Sequence, residues 1–141
     1  MTGFLVDTNI PSELTRQQPD AQVAAFLRRT DKRSMFLSVM TIGEICKGIA
    51  VLPDSHKRAS LQHWLDFDVR SWFGGRILPV SEEIAELWGK LAASARRRGT
   101  PLAVVDGVIA ATALHHGLTL VTRNLKDFAN LELELLNPWE P

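Results

Sequence analysis

Phe4-Leu5-Val6-Asp7-Thr8-Asn9 opens the chain as the first half of a βα unit. Three apolar residues run into an acid and two short polar residues, which reads as a buried strand ending at Asp7 with a helix from Asn9 to Thr15. The pattern then repeats. Apolar runs at Ser34 to Ser38, Ile77 to Val80, Leu118 to Thr122 and Leu133 to Leu136 read as further strands. Helices are expected at Ala21 to Arg29, Thr41 to about Leu52, His56 to about Trp72, Ser81 to Arg98 and Val105 to His116. Pro53, Gly74-Gly75, Gly99 and Gly117 supply the stops. Strands alternating with helices predict an α/β chain, a mostly parallel sheet with helices on both faces, in one domain over 1–141.

That architecture gathers polar residues far apart in the sequence. Strand ends and helix starts share the carboxyl edge of a parallel sheet, where ligands bind. Asp7 ends the first strand, and Thr122-Arg123-Asn124 end and follow the fourth. Glu44 falls in the first turn of the helix expected at Thr41, and Asp106 opens the helix after the apolar stretch Leu102 to Val105. Each has a plainer reading. Asp7 can cap the next helix, Thr41-Ile42-Gly43-Glu44 matches a capping box, and Asp106 can be a partly buried cap. Taken together they conflict electrostatically: at 4 Å and an effective dielectric of 20, a pair of like charges costs roughly 4 kcal/mol. A divalent cation between Asp7, Glu44 and Asp106 removes the conflict, and oxygen donors favour Mg²⁺ or Mn²⁺. Thr122 and Asn124 then offer a hydroxyl and an amide to water or phosphate. Asp127 can face either the site or solvent.

Bulk composition narrows the classes. With 45% hydrophobic and 23% charged residues the chain is ordinary for a globular domain, and its formal net charge of zero excludes nucleic-acid binding by bulk charge alone. A single cysteine, Cys46, leaves no disulfide framework and reads as a small buried residue. No signal peptide and no membrane-length apolar run is visible, so a cytoplasmic setting is expected. Arg96-Arg97-Arg98 complements a helix dipole or, alternatively, forms a phosphate-contacting rim. Arg123 reads as a salt-bridged surface residue. Trp64, Trp72 and Trp88 recur at core or interface spacing.

The chain resembles the PIN-domain ribonucleases, and more narrowly the VapC and FitB type toxins of toxin–antitoxin pairs. The resemblance lies in Phe4 to Asn9, Ser38 to Ile45, Asp106 to Ala113, and Leu118 to Asn124 with Asp127-Phe128; Gly75 to Val80 and Asn137-Pro138-Trp139 look most like the FitB branch. It implies an α/β/α sandwich with four to five strands and a homodimer. It also implies a metal-dependent endoribonuclease that hydrolyses RNA phosphodiester bonds with a metal-activated water. Asp7, Glu44 and Asp106 would be the metal ligands, with Thr122 and Asn124 also in the catalytic site. The implied partners are an RNA substrate and a cognate antitoxin protein, with DNA bound only through that antitoxin. Many members carry a fourth acid where this chain has Asn124, which leaves the fourth position open between Asn124 and Asp127. Two other readings are weighed: a PIN-like binding module or corepressor with a weakened site, and a haloacid-dehalogenase-like phosphatase. In the phosphatase the second acid of the motif would stand where this chain has Asn9.

Overall fold

Residues 3–140 are described by the structure, a computed structural model. Five parallel strands form the sheet: β1 Phe4–Val6, β2 Met35–Ser38, β3 Ile77–Leu78, β4 Thr119–Val121 and β5 Leu135–Leu136. Their order is β3-β2-β1-β4-β5, so β1 lies at the centre. The chain builds outward from β1 through β2 to β3, then crosses to the other side for β4 and β5. The crevice beyond β1 and β4 is therefore the point where strand order reverses, the place where open parallel sheets bind ligands. In register, Val6 lies beside Val121, which carries Asp7 and Thr122 to the same rim. The Asp7 N–H donates to the Val121 carbonyl at 2.9 Å, extending the pairing to the site itself.

Alternation along the strands divides the core into two layers. Val6, Leu37 and Val121 face one side, with Ile10, Val23, Phe26, Ile45, Ile49 and Leu65. Leu5 and Leu120 face the other, with Ile109, Ala110, Ala113 and Phe128. The first layer is covered by α1 Asn9–Glu13, α2 Ala21–Arg29, α3 Val39–Ala50, α4 His56–His63 and α5 Arg70–Trp72; the second by α6 Glu82–Arg97, α7 Val104–His116 and α8 Leu125–Phe128. The three-layer α/β/α sandwich expected from the sequence is the observed fold.

Three local departures follow from local chemistry. The helix expected at Thr41 begins earlier, at Val39, because the Ser38 hydroxyl caps it by accepting from the Met40 N–H at 3.0 Å. Thr41 is therefore inside α3, and Glu44 stands in the second turn and closes no capping box. The long helix expected from His56 is continuous to Trp72, but Trp64–Val69 is wound as a π-helix, which turns Leu65 and Val69 inward and leaves Phe67 exposed. Cys46 is exposed, not buried, because Ile42, Ile45 and Ile49 occupy the inward face of α3. Buried Glu13, which the sequence pattern did not single out, accepts from the Asp20 N–H at 2.8 Å and ties α1 to the start of α2.

Gly107 sets the seat of α7. A Cβ there would lie 2.7 Å from Trp88 Cδ1 on α6, so only glycine lets these helices close beside Asp106. Gly117, at φ +63°, ends α7 in the left-handed region as the sequence predicts.

Candidate active site

Asp7 ends β1 with its side chain 5% exposed. It does not cap α1. Its Oδ1 accepts from the Thr8 N–H at 2.8 Å and its Oδ2 from the Thr122 hydroxyl at 2.8 Å. Thr122, fully buried at the end of β4, also accepts from the Asn124 N–H at 3.0 Å. The Thr122 hydroxyl is thus spent on fixing Asp7 and the turn after β4, which is a narrower part than offering itself to water or phosphate. Asn9 spans the same two strand ends, its amide 3.5 Å from Thr122 Oγ1 and its Oδ1 3.4 Å from the Arg123 N–H.

Glu44 comes from α3 on the neighbouring side. Its Oε1 accepts from the Thr8 hydroxyl at 2.6 Å. Thr8, the N-cap residue of α1, makes no side-chain cap and instead orients Glu44. Asp106 lies in the first turn of α7, whose N-cap is Ala103, so its carboxylate caps nothing. Asp106 and Asp127 line one cleft of about 290 Å³ with Arg98 and Lys126 at its rim. Asn124 is exposed at the N-terminus of α8 and its side chain makes no cap hydrogen bond.

The acids act on one another. Burial raises Asp106 from its ordinary 3.8 to about 6, reinforced by the charges of Asp7, Asp127 and Glu44. Burial also raises Asp7; the hydrogen bonds from Thr122 and Thr8 oppose this, while Glu44 and Asp127 add to it. Among the described residues none of Asp7, Glu44, Asp106 and Asp127 is ion-paired with Lys or Arg. The donor set is oxygen only, negatively charged and without an internal counter-ion, which fits a hard divalent cation. Among the described residues no three His, Cys, Asp or Glu side chains stand close enough together, as placed, to hold a metal ion. Asp7, Glu44 and Asp106 feel one another's charge, and Thr8 bridges the first two, so the fit to a cation rests on donor chemistry and charge and not on a preformed ligand shell.

A pH dependence follows. An acid whose folded pKa is raised binds its proton more tightly in the folded state, so stability falls as pH rises from about 4 through about 6 and is level above. In EDTA, the stability of the unmodified chain relative to Asp106→Asn is expected to decline over this window. Urea unfolding of both proteins from pH 4.5 to 7.5 checks it; a gap that stays constant removes the assigned repulsion.

Carboxylates from β1, α3 and α7 at the switch point of a parallel five-stranded sheet define a class of site as well as a fold. The chain belongs to the PIN-domain family, whose model, described as "PIN domain", matches residues 4–132. It is similar to Toxin FitB of Neisseria gonorrhoeae, with 36% identity over 96% of this chain and 98% of the relative. It is also similar to VapC ribonuclease Y4jK of Sinorhizobium fredii, with 34% identity over 98% of this chain and 99% of the relative. Among solved structures, that of FitAB bound to an IR36 DNA fragment superposes with a TM-score of 0.90 at 34% identity, covering 96% of this chain and 95% of that one. No helix among the described residues is long and apolar enough to cross a membrane.

Proposed function

We propose that this chain is a Mg²⁺- or Mn²⁺-dependent endoribonuclease, the toxin of a toxin–antitoxin pair. The observation that carries the reading is the convergence of Asp7, Glu44 and Asp106 with no internal cation, beside a cleft rimmed by Arg98 and Lys126. The relatives named a toxin and a ribonuclease support it.

Asp7, Glu44 and Asp106 would hold the metal. When bound, it supplies the positive charge that lets water lose a proton near neutral pH and offsets charge developing on the phosphate. The chain's own residues do the rest. Thr122 and the Thr8 N–H fix both oxygens of Asp7, and the Thr8 hydroxyl fixes one oxygen of Glu44, leaving the other free. Arg98 and Lys126 would hold flanking phosphates against the repulsion of the acids. Asn124, exposed at the mouth, would orient water or phosphate without adding charge.

The partners follow from the same reading: an RNA substrate, a cognate antitoxin, and a second copy of the chain in a homodimer. The zero net charge and the DNA-bound FitAB relative favour DNA contact made through the partner. The test is cleavage of a structured RNA pool by partner-free protein in Mg²⁺, Mn²⁺ or EDTA, beside Asp7→Ala. Metal-dependent cleavage absent from Asp7→Ala is expected. Cleavage undiminished by EDTA contradicts the metal, and no cleavage with metal bound moves the chain to a binding module.

A further inference from the structure

Arg123 makes no ion pair among the described residues, contrary to the salt-bridged surface residue expected from the sequence. Its guanidinium lies over the indole of Trp139, 5.1 Å from the ring centroid. Trp139 is anchored: its ring packs on the core beneath the sheet, and its backbone N–H donates to the Oδ1 of buried Asn137 at 2.9 Å. Arg123 itself is exposed. The pair faces a cavity of about 700 Å³ that also takes in Asn124, Lys126 and Asp127. Lys126 and Asp127 line the Asp106 cleft too, so the two depressions meet there. Through the backbone the pair is tied to the site: the Asn124 N–H reaches Thr122 Oγ1, which holds Asp7.

We propose that Arg123, seated on Trp139, is a stacking platform for an unpaired nucleobase of single-stranded RNA lying across the acid site. The proposal rests on the ribonuclease reading above. A guanidinium held over an aromatic ring leaves its far side to solvent, and bases stack on guanidinium groups. Asp20 and Glu140 also line this cavity. They repel phosphate but not the face of a base, so the occupant is the base, with the backbone passing toward Arg98 and Lys126.

The probes, used in EDTA so that neither is cleaved, are a fluorescent, randomised RNA 12-mer pool and an abasic ribose-phosphate 12-mer. Binding is measured to the full chain and to Arg123→Ala and Arg123→Lys. Base stacking is worth enough that Arg123→Ala should weaken binding to the base-bearing pool about 10-fold or more. Arg123→Lys keeps the charge but should be as weak as Arg123→Ala, with the salt dependence unchanged in both. Neither variant should change binding of the abasic probe. Full recovery in Arg123→Lys, or equal losses on both probes, reduces Arg123 to a phosphate contact and overturns the platform. Unchanged RNA binding in both variants also overturns it and leaves the pair to a protein contact. If the unmodified chain cleaves RNA with metal while these variants match it, the platform fails and the ribonuclease reading stands. If the unmodified chain neither binds nor cleaves RNA, both fail.

Discussion

Asp106→Asn is expected to lower metal-dependent RNA cleavage by roughly 10³-fold, about 4 kcal/mol of transition-state stabilisation at 1.36 kcal/mol per decade. The same substitution is expected to stabilise the metal-free protein at pH 7.5, by on the order of 1 kcal/mol once screening of a partly exposed charge is allowed for. Both signs have one cause. Asp106 sits where burial and the charges of Asp7, Asp127 and Glu44 penalise its ionised form, and asparagine keeps the shape while removing the charge. A residue retained for folding should not become more favourable when neutralised; a residue placed to meet a cation should. Single-turnover cleavage and urea unfolding in EDTA read the two effects separately. Loss of activity together with loss of stability would mark Asp106 as a structural residue.

Thr122→Val carries the second large effect. Valine matches threonine in shape, and Thr122 is fully buried, so packing is preserved and only the hydroxyl is lost. That hydroxyl donates to Asp7 Oδ2 and accepts from the Asn124 N–H, so buried Asp7 loses a partner and the turn after β4 loses a tie. A destabilisation of about 2 kcal/mol is expected, since groups left unsatisfied bear their desolvation cost. Tm should fall by roughly 5–10 °C. Asp7 also loses the strongest influence holding its pKa down. Its protonated form then persists to higher pH, where it opposes cation binding. Activity should drop by roughly 10- to 100-fold, as when an outer partner of a metal ligand is removed. Thr122→Ser restores the hydroxyl and should recover most of the activity; if serine is no better than valine, the hydrogen bond to Asp7 is not what the position supplies.

The residues of the candidate site differ in how far the sequence reveals them. Asp7 and Thr122 were visible because each stops an apolar run, and the βα alternation alone brings such stops to one edge. Asp106 was visible because an acid before Gly107-Val108-Ile109-Ala110 has no solvated face to occupy. Glu44 was placed on the right element with the wrong neighbour. Val39-Met40 continues the apolar look of β2, which hides the Ser38 cap and makes Thr41 look like the helix start. The actual partner of Glu44, the Thr8 hydroxyl, lies on the strand-to-helix turn after β1, and only the packing of α3 against that turn brings them together. The exposure of Cys46 depends on which stripe of α3 meets the sheet, and Ile42-Ile45-Ile49 takes that stripe. The π-wound Trp64–Val69 has no signature in an apolar spacing that also suits an α-helix. Arg123 and Trp139 belong to separate loops after β4 and β5, so their stacking is a product of tertiary structure alone.

Calorimetric titration of partner-free protein with Mn²⁺ at pH 7.5, beside Asp106→Asn and Asp7→Asn, tests the convergence of Asp7, Glu44 and Asp106 on one cation most directly. Saturable binding to the unmodified chain, accompanied by proton release that grows as pH falls toward 6 and strongly weakened in either variant, is the predicted result. No binding, or binding to both variants as strong as to the unmodified chain, would contradict a metal held by these acids.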